Sequence, residues 1–261
     1  MLLRLLTVIL GGANMHPRSD PTPLIPEGIS HLLLANEIIP ESTLAYLEAA
    51  HSQSVTTIFN PSPMLSGDAL RAFPFEKLEW LIVNQGEMST IYDSLVGRAE
   101  GISDSEESPS KVIENATRLY EKLDGKTSIL CTMGGQGAIY VRSVSTGTST
   151  VATSNMETGH LPAAKLLNPI KDTTGAGDCF MGFFAAGMAR LAASGSGKKG
   201  NVSKDKFTDV LKTCLTVSLT EADTRLDRAY HIPSVSCRLL GLLNVCGARG
   251  CAGQLSPDLD G

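Results

Sequence analysis

The chain has 261 residues, of which 42% are hydrophobic and 19% charged, and its formal net charge is -5. These values fit a soluble globular protein with one large domain or two small ones. The slight acidity argues against a broad nucleic-acid-binding face but leaves room for a local anion site.

In chain order, MLLRLLTVIL at 1–10 is about half the apolar length that spans a bilayer. It reads as a buried strand, with a signal peptide as the alternative. HLLLAN at 31–36 predicts a buried strand and ESTLAYLEAAHS at 41–52 a helix. VTTIF at 55–59 predicts a strand that stops at Asn60-Pro61-Ser62-Pro63. WLIV at 80–83 predicts another strand, followed by Asn84-Gln85-Gly86-Glu87. A polar helix is expected over 109–123, then a strand at SILCTM (128–133), Gly134-Gly135, and an antiparallel partner at AIYV (138–141).

Residues 172–178, DTTGAGD, open a long apolar helical stretch that ends near 191. A Gly/Ser/Lys-rich loop follows at 193–204, then a helix over 206–219, and no clear period beyond about 220. Strands alternating with helices predict an α/β fold with a mostly parallel sheet, without internal repeats. Six cysteines without paired spacing do not make a disulfide framework, which points to a reducing compartment, the cytoplasm or the nucleus. Cys237, Cys246 and Cys251 lack the Cys-x-x-Cys spacing or neighbouring His that a zinc site needs. Ser196-Gly197-Lys198-Lys199-Gly200 fails the P-loop pattern, with Lys199 where Ser or Thr is required and Ala192 where the first Gly is required.

The sharpest chemical signal is Asp172-Thr173-Thr174-Gly175-Ala176-Gly177-Asp178. Small residues leave backbone N–H groups uncovered where a helix begins, and the helix dipole adds positive potential there. Such donors stabilise a phosphoryl group in transfer, and a carboxylate beside them can take a proton from an attacking hydroxyl. The same residues also fit an ordinary helix start.

DTTGAGDCFMGFF resembles the C-terminal signature of the ribokinase-like (PfkB) carbohydrate kinases. The resemblance implies that Asp178 is the catalytic base and touches the substrate hydroxyl, and that Gly175, Ala176 and Gly177 form an anion hole. It places Asp172 and Thr174 near a bound monovalent cation, potassium. HLLLANEIIPESTLAYLEAA is similar to the family segment whose Glu contacts the sugar, here Glu37. TIFNPSPM resembles an Asn-Pro-Ala-Pro segment, and LIVNQGE the Asn-x-x-Glu motif. There Asn84 would contact ATP and Glu87 would act on magnesium indirectly. ILCTMGGQGA resembles the strand and turn with nucleotide contacts, here Thr132, Gly134 and Gly137. Each motif alone has a structural reading: Asn84 and Glu87 as a capping pattern, Gly134-Gly135 as a hairpin turn, Glu37 as a solvated strand end.

The resemblance therefore implies a ribokinase-like three-layer α/β/α sandwich missing its N-terminal strands and β-lid. Residues 1–220 would form a partial kinase domain and 221–261 a divergent tail. The implied ligands are ATP, magnesium, potassium and a small sugar, with no nucleic acid or membrane partner, and the complete family member would form a homodimer. The activity it implies is phosphorylation of a sugar hydroxymethyl group, D-ribose being the first choice. A catalytically silent nucleotide-binding remnant and a kinase for another sugar or nucleoside stay open beside it. Without the first strands, a sheet edge and apolar faces are uncovered, so a low, broad thermal transition is expected. A sharp, high-temperature cooperative melt of the purified monomer would contradict this.

Overall fold

The computed structural model describes residues 25–97, 108–145, 154–165, 175–195 and 202–224. The expectations for 1–10, for the 196–200 loop, for Asp172 and Thr174 and for the three C-terminal cysteines lie outside those residues.

Strand β1 (His31–Ala35) leads through α1 (Pro40–Ser52) to β2 (Thr56–Asn60). Helix α2 (Gly67–Ala72) precedes β3 (Trp80–Asn84), and α3 (Gln85–Leu95) and α4 (Pro109–Lys122) follow it. Next come β4 (Ser128–Thr132), β5 (Ala138–Ser145), β6 (Ser154–Leu161), α5 (Ala176–Ala193) and α6 (Lys204–Thr224). The strands form one sheet in sequential order, with β1 to β4 parallel and β4, β5 and β6 antiparallel. The expected α/β class and the β4–β5 hairpin are both present. Helix α6 runs through Thr224, past the boundary expected at 220.

Alternation along the strands sends apolar side chains to both faces, as helix-covered strands require. Phe59, Leu81, Val83, Ile129, Cys131, Ile139 and Val141 share one core with Leu47, Ile91, Ala116 and Leu119 from α1, α3 and α4. Their neighbours Ile58, Trp80, Ile82, Leu130 and Tyr140 face the opposite core, with Phe180, Phe184 and Met188 of α5 and Phe207 and Leu211 of α6. The result is three layers, with α1–α4 on one face of the sheet and α5–α6 on the other. Trp80 stacks on Phe207 and meets Phe184 edge-on, which locks α5 and α6 to the sheet centre. The small residues of α5 let α6 close in, since a Cβ at Gly187 would lie 2.6 Å from Val210 Cγ1.

β6 was not expected from sequence. Its buried face carries a single large apolar residue, Leu161, which gives no readable alternation. A polar network holds it instead. Arg142 in β5 is buried, pairs with Glu157 of β6 at 3.0 Å, donates to the Val202 carbonyl at 3.0 Å and lies over the Phe207 ring. Tyr140 donates its hydroxyl to Glu157 at 2.8 Å. Burial, aided by Glu157, pushes the Tyr140 phenol up to about 12. Burial also pushes the Glu157 carboxyl up, but hydrogen bonds from Arg142 and Tyr140 and the Arg142 charge outweigh it and hold the group below its usual 4.5. A carboxylate depressed on folding contributes stability above its unfolded value and loses it as pH falls through the folded value. Urea midpoints at pH 7 and pH 4 should therefore drop less between the two for Glu157→Gln than for the unsubstituted chain. Parallel pH curves would contradict this coupling.

Candidate phosphoryl-transfer site

Parallel strands bring their C-terminal ends to one edge, and in open α/β sheets ligands bind there. Ala35 pairs with Asn60, and Asn84 with Thr132, so the segments after β1, β2, β3 and β4 all emerge on this edge. Glu37 is exposed in the turn after β1. Beside it, Asn36 donates its side-chain amide to the Pro63 carbonyl at 2.6 Å, tying that turn to the Asn60–Pro63 loop.

Asn84 caps α3. Its Oδ1 accepts from Glu87 N at 2.9 Å, and Glu87 Oε2 accepts from Asn84 N at 2.9 Å, a reciprocal capping box. The capping alternative raised by the sequence is thus realised, and it fixes the carboxylate at the edge. Asn60 adds a further donor: its side-chain amide gives one bond to the Ile82 carbonyl at 2.8 Å and one to Glu87 Oε2 at 3.4 Å. Both donors converge on Oε2, and among the described residues Glu87 Oε1 has no hydrogen-bond partner. The role of Asn60 was not read from the sequence, where Asn-Pro signalled only a turn.

Thr132, at the end of β4, donates its hydroxyl to the Val83 carbonyl at 3.4 Å. The turn Gly134–Gln136 then leads into Gly137 and β5. Gly134 and Gly135 are exposed, with open space around their α-carbons. Gly137 is the opposite case: its φ is +97°, and a Cβ there would fall 1.9 Å from the Leu161 carbonyl oxygen. The back of the turn is thus pressed onto the end of β6 and its front is open.

Helix α5 brings the last element. Its C-terminal half, at Met188 and Ala192, sits beside Ser30, Thr56, Glu79 and Trp80 at the N-terminal ends of the strands. The helix therefore runs antiparallel to β1–β4, and its N-terminus lies at the same edge as Asn84, Glu87 and Thr132. Gly175, the N-cap, is left-handed at φ +75° and supplies no side-chain cap. The first-turn N–H groups, which have no partner inside the helix, are left for another acceptor. Gly177 and Asp178 are exposed. Asp178 stands in the first turn, where the dipole favours its charge, and makes no hydrogen bond or ion pair among the described residues. Asp172 and Thr174 are the two expected site residues outside the described residues. A cavity of about 360 Å³ lies at the other edge, around Ser30, Glu79 and Trp80, and contains none of the expected site residues.

Residues 29–203 match the model of the pfkB family carbohydrate kinases. The chain belongs to the pfkB family of carbohydrate kinases. A ribokinase of Dictyostelium discoideum is 26% identical over 182 residues, which make up 68% of this chain and 53% of that protein. The crystal structure of a ribokinase from Cryptococcus neoformans var. grubii serotype A in complex with ADP is 38% identical. It superposes with a TM-score of 0.63 over 80% of this chain and 59% of that one. A ribokinase from Giardia lamblia, 22% identical with a TM-score of 0.54 over 74% of this chain and 54% of that one, shares the fold. The chain thus spans between half and three-fifths of the length of these relatives. Among the described residues no helix is long and apolar enough to cross a membrane.

The two glycines of the β4–β5 turn should respond differently to a methyl group. Gly134→Ala meets only the left-handed backbone penalty of about 1 kcal/mol. Gly137→Ala adds a backbone collision and should cost at least about 2 kcal/mol more in urea unfolding. Equal losses would contradict the close approach of Gly137 to β6.

Proposed function

We propose that this pfkB-family chain carries the nucleotide and phosphoryl-transfer half of a sugar kinase, with ATP as donor and the hydroxymethyl group of D-ribose as acceptor. One observation supports this above the others: the uncapped N-terminus of α5, with Asp178 exposed in its first turn, lies on the sheet edge that also carries Asn84, Glu87 and the Thr132–Gly137 turn. Ribose and adenine nucleotide are favoured by the likeness to the Cryptococcus ribokinase, whose structure was solved with ADP.

In this reading the acceptor hydroxyl oxygen forms a bond to the γ-phosphorus as the bond from that phosphorus to the β–γ bridging oxygen breaks. ADP leaves, and the hydroxyl proton passes to the Asp178 carboxylate. The amides of Gly175, Ala176 and Gly177 hold charge on the moving phosphoryl oxygens. Thr132, Gly134 and Gly137 contact the nucleotide, Asn84 reaches its phosphates, and Glu37 holds the sugar. Magnesium, when bound, offsets phosphate charge. It typically keeps several waters and one or two carboxylates, and Glu87 with its open Oε1 fits that indirect role. Among the described residues no three acidic, His or Cys side chains cluster as a metal site. Asp172 and Thr174 are proposed for potassium from the motif alone.

The partial span of the match supports a second reading, a chain that binds nucleotide without turnover. Asp178→Asn distinguishes them in a coupled ADP-release assay with ribose, run beside ADP titration. The kinase reading expects turnover in the unsubstituted chain, a loss of at least about 100-fold in the variant and retained ADP binding. ADP binding with no turnover in either chain selects the second reading. Equal turnover in both chains rejects Asp178 as the base.

A further inference from the structure

We propose that His160 is a positioning residue for the β4–β5 turn and sets nucleotide affinity without touching the nucleotide. This rests on the reading that Thr132, Gly134 and Gly137 face the nucleotide. His160 stands in β6 opposite Ile139, and its Nε2 lies 2.7 Å from the Gln136 carbonyl oxygen. A carbonyl only accepts, so Nε2 carries the proton and donates, whether the ring is neutral or charged.

The turn is otherwise closed on itself. Gln136 N donates to the Met133 carbonyl at 3.0 Å, Gly137 N to the Gly134 carbonyl at 3.0 Å, and Met133 N to the Gly137 carbonyl at 2.7 Å. These bonds shape the turn, and the buried Met133 side chain and the Thr132–Ala138 pair anchor its base. Two contacts with β6 hold its far side, the backbone approach of Gly137 to Leu161 and the imidazole bond to Gln136. Gly134 and Gly135 present only backbone on the open side, with no neighbour beside their α-carbons. A turn that binds through its backbone must be held before the ligand arrives, because ordering it on binding costs affinity.

The test compares the whole chain with His160→Phe, which keeps a ring and loses the donor, and His160→Gln, which keeps an N–H donor. In calorimetric ADP titrations, His160→Phe should weaken binding about five-fold and His160→Gln by less than about two-fold, with melting temperatures unchanged. Amide exchange at Gln136 and Gly137 without ADP should be faster in His160→Phe alone. ADP binding by His160→Phe as tight as by the unsubstituted chain overturns the proposal and leaves the kinase reading intact. Equal weakening in both variants with lowered melting temperatures overturns it in favour of a purely structural role. An unsubstituted chain that does not bind ADP overturns the nucleotide reading and this inference together.

Discussion

Burial of one side of α5 against the sheet is the constraint on which the site depends. Phe180, Met181, Phe184, Ala185 and Met188 are all buried there, and Trp80 lies against Phe184 at the middle of the contact. Burying each large side chain removes apolar area worth about 1.5–3 kcal/mol, so the orientation of the helix is set by several such terms together. Because α5 is antiparallel to β1–β4, this packing delivers Gly175–Asp178 to the edge where the strands end. Gly177 and Asp178 in the first turn stay exposed while the sheet-facing side of the helix is buried.

The same edge is assembled from local devices of different kinds. Asn84 and Glu87 are held by a capping box of ordinary kind, which also pins one carboxylate oxygen and, among the described residues, leaves the other open. Asn60 joins β2 to the β3 carbonyl of Ile82 and to that carboxylate, so a strand end and a helix start are registered by one side chain. Gly137 is pressed onto β6, which is kept in place by the Arg142–Glu157–Tyr140 network. The capping box leaves the phosphate role proposed for Asn84-x-x-Glu87 open, because among the described residues Glu87 Oε1 takes no part in it.

Most of this fold was legible in the sequence because the central strands are short apolar runs. WLIV and SILC have no polar residue that must face solvent, and helix-covered strands show that pattern. The start of α5 was legible because glycine and aspartate stand directly before a long apolar stretch. β6 was not, since Glu157 and Gly159 occupy its inner face beside Arg142 and Tyr140, and an ion pair replaces the apolar alternation that marks a strand. Asn60 and His160 were missed for a related reason. Each acts through a partner distant in sequence, Glu87 and Gln136, and single residues give no periodic signal. Glu37 was placed correctly at a strand end, but it is exposed and among the described residues gains no partner that would fix a role.

In the proposed function, three separated segments grip one ligand at the C-terminal edge of the sheet. Amide hydrogen exchange of the whole chain with and without magnesium and ADP measures this directly. Exchange should slow together at 84–87, 132–137 and 175–178, with 30, 56 and 79 around the opposite cavity unchanged. Protection around that opposite cavity, or none at 175–178, would contradict it.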